Sequence, residues 1–457
     1  MEETSKTNVA TPEESGFQLT KEFLELALER EVETFSTSMG TNPGDNYMSI
    51  MHGIEVTFKG DNKSNYYLLK CYPANSQGKK EFLDDLFSKE LFMYQKFLPQ
   101  LKELAAESGA ENVVDLSVVP VQAGNLAGQP SAKFTETAWS SESFILMTDL
   151  RKTSGFTMAD RFQGLDLIHT KLALEEIAKL HALSWAYKQK NGMSLLNTKY
   201  PQFVGEVDGN ADTMKGFCQL MVHLSNSSLQ MAEDKLGASH PACKNFKEFI
   251  AGYEPERMNA FMRKTGIDEK SVESQLRIQP DEDKDYNYEP WMVASHGDCY
   301  LNNMLFLYND EKKPVAVTLI DWQVIREACP TVDLAYFLYL SVRSSVRIPN
   351  LNELLSVYHD AFVRYCEVLQ VSVLPGFSME TLARRFRRAQ IYALLVPLPL
   401  LSIVLKPKEN AAKNTEKVDS NEGANIFNSV MVGFDQNELL KDEVSSTILN
   451  LYEIGVI

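Results

Sequence analysis

Ser295-His296-Gly297-Asp298-Cys299-Tyr300-Leu301-Asn302-Asn303 sets Asp298 and Asn303 five positions apart behind a glycine. Two short apolar runs follow, Met304–Tyr308 and Pro314–Ile320, joined by the polar Asn309–Lys313. Apolar runs of this length around a turn-forming segment predict a β-hairpin. Leu319-Ile320-Asp321-Trp322-Gln323 closes the second run with another acid, 23 residues after Asp298 (321 − 298). A hairpin returns the chain to its start, so Asn303 and Asp321 are expected to stand on one side. Taken singly, an Asp or Asn in a loop is most often a turn or cap residue. The order and spacing of the three together carry the reading.

Phosphoryl transfer asks for a positioned hydroxyl, a proton acceptor beside it and cations on the phosphate oxygens. Asp298 fits the acceptor, and Asn303 and Asp321 offer hard oxygen ligands suited to Mg²⁺. Upstream, Tyr67-Leu68-Leu69-Lys70 reads as a strand carrying one lysine. An inward ammonium is costly unless paired. Glu90, in the helical pattern Lys80–Phe97, is the expected partner, with Lys70 reaching the α/β-phosphates of ATP. Gly40-Thr41-Asn42-Pro43-Gly44-Asp45-Asn46-Tyr47 precedes predicted strands and could cover phosphates with backbone N–H groups around Gly44 and Asn46. It is not a GxxxxGK[ST] loop.

Residues 1–16 are polar and expected to be a disordered tail. The periodicity predicts a helix over Thr20–Glu33, strands at Tyr47–Ile50, Gly53–Lys59, Tyr66–Tyr72 and Phe144–Met147, and the helix Lys80–Phe97 among them. Helices then dominate: Lys171–Tyr187, Ala211–Lys235, Lys244–Lys264, Leu351–Leu369, Met379–Val396 and Gln436–Tyr452. Asn350 with Glu353 three residues on reads as a capping box opening the fourth of these. Residues 406–424 are rich in Lys, Glu, Asn and Ser and are expected to form a flexible surface loop. The expected organisation is an N-terminal nucleotide-binding lobe over residues 17–150, ending at a hinge, and a helical lobe over 151–457.

Composition narrows the classes. A net charge of −17 disfavours nucleic acid as a partner. The six cysteines are scattered and form no CxxC pair, so structural zinc is not expected and a reducing, cytoplasmic compartment is. The N-terminus does not read as a secretory signal. Ile391–Leu405 is apolar but short for a membrane span and interrupted by Pro397 and Pro399, so it is expected to be buried helix.

The pattern H-G-D-x-x-x-x-N followed by I-D-W-Q resembles the ecdysteroid kinase-like family, relatives of choline and aminoglycoside kinases. Leu146-Met147-Thr148-Asp149-Leu150 with Gly155-Phe156 resembles the family's hinge, Leu180-His181-Ala182 its H-A helix, and Asp333-Leu334-Ala335 its D-L-A. The resemblance covers roughly residues 18–400. It implies an α+β, protein-kinase-like two-lobed fold with a small β-rich N-terminal lobe and a large, mainly helical C-terminal lobe. It also implies ATP between the lobes, near the hinge residues Met147 and Asp149, Mg²⁺ at Asn303 and Asp321, and a small hydroxylated acceptor beside Asp298. Thr148, Tyr300 and Trp322 depart from the family's usual Glu, Trp and Phe.

Protein kinases insert a long activation segment after the metal aspartate. Here Asp333 and the apolar Leu334–Leu340 follow Asp321 almost at once, which points to a small acceptor. The acceptor's identity and the oligomeric state are not legible. The alternative is a catalytically silent, nucleotide- or ligand-binding protein. His181, on an apolar helix face, is expected to be a satisfied core histidine, His296 to shape its loop, and Asp333 to brace that loop.

Overall fold

β-branched and aromatic residues alternating with polar ones between Val32 and Cys71 build the start of an antiparallel sheet. The computed structural model describes residues 16–41, 49–72, 80–203, 211–251, 291–406 and 437–457. Its strands in chain order are β1 (Val32–Met39), β2 (Ile50–Phe58), β3 (Ser64–Cys71), β4 (Val121–Asn125), β5 (Phe144–Thr148), β6 (Thr157–Met158), β7 (Val293–Ser295), β8 (Met304–Tyr308), β9 (Pro314–Leu319) and β10 (Arg326–Ala328). The chain divides into two compact units, residues to Lys96 with Val118–Thr157, and Phe97–Ser117 with Met158 onward.

The first unit holds a five-stranded antiparallel sheet in the order β1-β2-β3-β5-β4. One face carries Val56, Phe58, Leu69, Phe144 and Leu146, which pack with Phe17, Phe23 and Leu24 in one core. Phe23 and Leu24 come from the helix Lys21–Leu28, whose N-cap Thr20 accepts from the Phe23 N–H at 3.2 Å. The helix expected through Glu33 stops at Leu28, where Glu29 turns left-handed at φ 55°. The β-branched and aromatic residues of Val-Glu-Thr-Phe-Ser-Thr then favour strand β1, which the helical period had absorbed. β4 was likewise not anticipated, being five residues long with a glycine. The helix Lys80–Phe92 runs on through a π-turn, Met93–Phe97, into a further helix, Leu98–Glu107.

The second unit is mainly helical. Leu167–Lys190 is its central helix, with Leu174, Ile177, Ala178, His181 and Leu183 fully buried. The helix expected to open at Asn350 begins at Ser344 and contains Pro349 internally. Asn350 is therefore no cap; its amide donates to the Val346 carbonyl at 2.8 Å. A proline in the second turn reads in sequence as a boundary, but tertiary packing carries the helix through it. Ile391–Leu405 is divided as expected between the buried helices Met379–Leu395 and Pro397–Val404, bent by 49°. Among the described residues no single helix is long and apolar enough to cross a membrane. The predicted helix Lys244–Lys264 is seen as Pro241–Ala251, and its remainder lies outside the described residues. So do nearly all of the expected tail and loop, residues 1–15 and 407–424.

Candidate active site

In the first unit, Lys70 lies near the end of β3, paired to Met51 of β2 and Ile145 of β5. Glu90 falls on the face of its helix that also carries Leu83, Leu86 and Phe87, a helical period apart. Both side chains are buried, at 4% and 1% exposure, and Lys70 Nζ meets Glu90 Oε2 at 2.6 Å. Burial of either charge alone would cost several kcal/mol, on the order of the penalty for an unpaired buried ion. The pair removes that cost and fixes where the ammonium sits.

Met147 and Asp149 stand at the end of β5. Met147 is buried, opposite Leu68 on one side and Val121 on the other. Asp149 caps the short helix Leu150–Thr153, its carboxylate accepting from the Arg151 N–H at 3.0 Å and from the Arg151 guanidinium at 2.9 and 3.0 Å. Its own N–H donates to Tyr66 and its carbonyl accepts from Thr153. The Asp149 side chain thus has structural employment inside the unit. Gly44 and Asn46 lie outside the described residues.

In the second unit the loop after β7 is tied down by one buried acid. Asp333, in the first turn of the helix Pro330–Ser341, accepts from Ser295 Oγ at 2.7 Å, the His296 N–H at 2.7 Å and the Gly297 N–H at 3.0 Å. Behind it, His181 donates to Asp333 Oδ2 at 3.2 Å and meets Tyr358 Oη at 2.8 Å. Burial alone would raise the Asp333 carboxyl, but His181 and Ser295 outweigh it and hold the group well below the usual carboxylate range. Asp333 therefore braces the loop as its place after Asp321 led one to expect, and His181 is the satisfied core histidine expected on its apolar helix face, with both ring nitrogens partnered.

Gly297 could be no other residue. Its φ is +82°, and a Cβ there would stand 2.2 Å from the Val324 carbonyl oxygen. Glycine lets the loop lie directly against the segment leaving Asp321. His296 adds a second tie, its Nε2 donating to the Ile320 carbonyl at 3.0 Å while its ring lies against Trp322. Nδ1 receives the Asp298 N–H at 3.4 Å, so both ring nitrogens shape the loop.

Leu301–Asn303 forms one turn of 3₁₀ helix, which folds Asn303 back onto Asp298. Asn303 Nδ2 donates to the Asp298 carbonyl and to Asp298 Oδ2, each at 2.9 Å. The β8–β9 hairpin pairs Met304 with Leu319, and the next rung is the Ile320 N–H on the Asn303 carbonyl at 3.0 Å. This rung sets Asp321 beside Asn303. Asp321 is one of four non-glycine residues with positive φ, at 68°, among the described residues. A non-glycine residue keeps such a conformation only where its surroundings impose it. Gln323 Nε2 donates to its Oδ2 at 3.3 Å.

The structure thus brings Asp298, Asn303 and Asp321 together. Burial pushes the Asp298 carboxyl up, the Asp321 charge adds to this, and hydrogen bonds from Tyr336 and Asn303 oppose both. Tyr336 was not anticipated. Its Oη donates to Asp298 Oδ1 at 2.7 Å. The available signal was its place three residues, one helical turn, after Asp333 in a wholly apolar run, where a phenol needs a partner.

For a hard divalent cation this donor set fits. Asn303 spends its amide nitrogen on Asp298, which turns Oδ1 to other use, and Asp321 is a carboxylate. Among the described residues no group of three or more His, Cys, Asp or Glu side chains is placed to hold a metal. Two protein donors, with phosphate and water completing the shell, is the manner in which Mg²⁺ is commonly held.

The ecdysteroid kinase-like family matches residues 43–371, well over half of the chain. The chain belongs to the ecdysteroid kinase-like family. No curated protein sequence matches it. Solved structures similar to it include a choline kinase from Cryptosporidium parvum Iowa II, at 11% identity and TM-score 0.41, covering 93% of this chain and 91% of that one. A Plasmodium vivax ethanolamine kinase has 10% identity and TM-score 0.36 over 93% and 82%. The choline kinase LicA from Streptococcus pneumoniae has 12% identity and TM-score 0.34 over 94% and 97%.

Proposed function

We propose that this member of the ecdysteroid kinase-like family transfers a phosphoryl group from ATP to a hydroxyl of a small molecule. The observation that carries the reading is the held carboxylate of Asp298, with Asn303 on one oxygen, Tyr336 on the other and Asp321 alongside. In this reading Asp298 accepts or orients the hydroxyl proton. Asn303 and Asp321 hold Mg²⁺, which supplies the positive charge that phosphate oxygens need. Lys70, held by Glu90, lends a further cation to the phosphates. Asp333 and His181 keep the loop rigid so that Asp298 is oriented before substrate arrives. An ecdysteroid or a related hydroxylated lipid-like compound is the proposed acceptor.

ADP release with Mg-ATP, over a panel of hydroxylated steroids and choline, tests this. Acceptor-dependent release that falls at least about a hundredfold in Asp298→Asn is expected. No turnover of any acceptor by a chain that Mg-ATP demonstrably stabilises would overturn it in favour of a silent nucleotide-binding protein.

A further inference from the structure

A half-buried guanidinium beside this site is unused by the chemistry above. Arg326 lies on β10, paired with Ser295 of β7, three residues before Asp298. Its side chain makes one hydrogen bond, Nη2 to Tyr392 Oη at 3.3 Å. Its Nε is buried without a hydrogen-bond partner, and no carboxylate forms a salt bridge with it among the described residues. A guanidinium has five donors and is charged at every physiological pH. A half-buried one with a single long bond to a phenol is far from satisfied, and such groups call for explanation.

Its position supplies one. Tyr392 stacks on Tyr336 with ring centroids 6.3 Å apart, and Tyr336 donates to Asp298. Arg326 thus stands two side chains away from the carboxylate assigned to the acceptor hydroxyl. An alkylammonium group binds over open aromatic faces. Here Tyr336 and Tyr392 are at most 7% exposed and spend their facing surfaces on each other. The cation behind them repels another cation.

We infer that Arg326 selects acceptors by charge: its positive field, felt through the two tyrosines, favours an uncharged or anionic acceptor alcohol and disfavours alcohols that carry an ammonium group. This rests on the phosphotransferase reading for the place of the acceptor. The bland alternative is that Arg326 only balances Asp298, Asp321 and Asp333 at a distance. In that case its loss would weaken all acceptors alike.

The test is calorimetric titration of the whole chain, saturated with Mg²⁺ and a non-hydrolysable ATP analogue, with two probes. One is choline and the other is neohexyl alcohol, its uncharged carbon isostere. The isostere is expected to bind at least about tenfold more tightly. Arg326→Gln should remove most of that ratio, and Arg326→Lys, which keeps the charge and guards against a mere folding defect, should retain it. Choline binding as tightly as the isostere overturns the inference, as does an unchanged ratio in Arg326→Gln or no binding of either probe. The readout needs no turnover. A chain that discriminates but releases no ADP keeps this inference and loses the kinase assignment, and a chain that releases ADP without discriminating does the reverse.

Discussion

Asp298 has each carboxylate oxygen engaged by a different element, Oδ2 by Asn303 and Oδ1 by Tyr336. The first of these was legible, because a spacing of five is local and a single 3₁₀ turn closes it. The second was not, because 38 residues separate Tyr336 from Asp298 and only packing of the helix Pro330–Ser341 joins them. If the phenol positions the carboxylate, Tyr336→Phe should lower kcat about tenfold, the scale of one hydrogen bond to a charged group. The KM for ATP should barely move and the melting temperature should fall only by the few degrees that one such bond is worth; steady-state kinetics and a thermal melt decide, and an unchanged kcat refutes the role. Asp333 gives a prediction about stability. Its carboxyl is held low in the fold, so its contribution is fully present above the ordinary carboxylate pKa of about 3.9 and fades as pH falls through the lower, folded-state value. Asp333→Asn should therefore cost about 2–4 kcal/mol near neutrality, as for one partner of a buried charged network. The gap between variant and wild type in denaturant melts should narrow as the solution is taken from about pH 5 towards about pH 2. A gap that widens on acidification would refute the assignment.

At the scale of elements, the β8–β9 hairpin was the most legible piece because its signals are all short-range. Two apolar runs flank Asn309, whose Oδ1 accepts from the Glu311 and Lys313 N–H groups at 3.1 and 2.9 Å. The helix Ser344–Val368 was misread at its start because a local rule, Asn350 and Glu353 as a capping box, met a tertiary demand that carries the helix back to Ser344. That helix places Leu354, Tyr358, Phe362 and Cys366 against the core, and Pro349 at an exposed turn does not undo it. The proline still removes one backbone hydrogen bond, so Pro349→Ala should raise stability by about 1 kcal/mol or more. A chemical melt that shifts to lower denaturant would show instead that the proline is needed to start the helix. The opposite case is Gly297, where both conformation and space forbid a side chain. Gly297→Ala should force the loop away from Val324 and abolish acceptor turnover even in preparations that remain folded by circular dichroism.

Across the whole molecule, a β-rich unit followed by a helical one was legible from the residues. The same alternation that predicts β2 and β3 is what the sheet uses, and the same apolar periods lie inward in the helices. The unanticipated part was the allegiance of Phe97–Ser117, which belongs with the helical unit although it interrupts the first in sequence. Packing decides that allegiance: Phe97 sets its ring edge-on to Tyr187, Tyr200 and Phe203, residues between 90 and 106 positions further along. The cysteines report how firmly such packing holds. Cys71 in the first unit, and Cys243, Cys299, Cys329 and Cys366 in the second, are buried thiols. Burial pushes the Cys366 thiol up to about 12 and the Cys299 thiol well above its ordinary value, so the thiolate that alkylating agents require is scarce as well as inaccessible. Iodoacetamide under native conditions should therefore leave these five positions unmodified, and each should react once its own unit unfolds, as mass spectrometry of digests would show. Mg-ATP should slow the reaction by stabilising the native form, by an amount that grows with the ratio of free ligand to its dissociation constant. Rapid native labelling of Cys366 would mean that the helical core around Leu354, Tyr358 and Phe362 opens without global unfolding, and the braced Asp298 loop would then lose the rigid support from which its chemistry is argued.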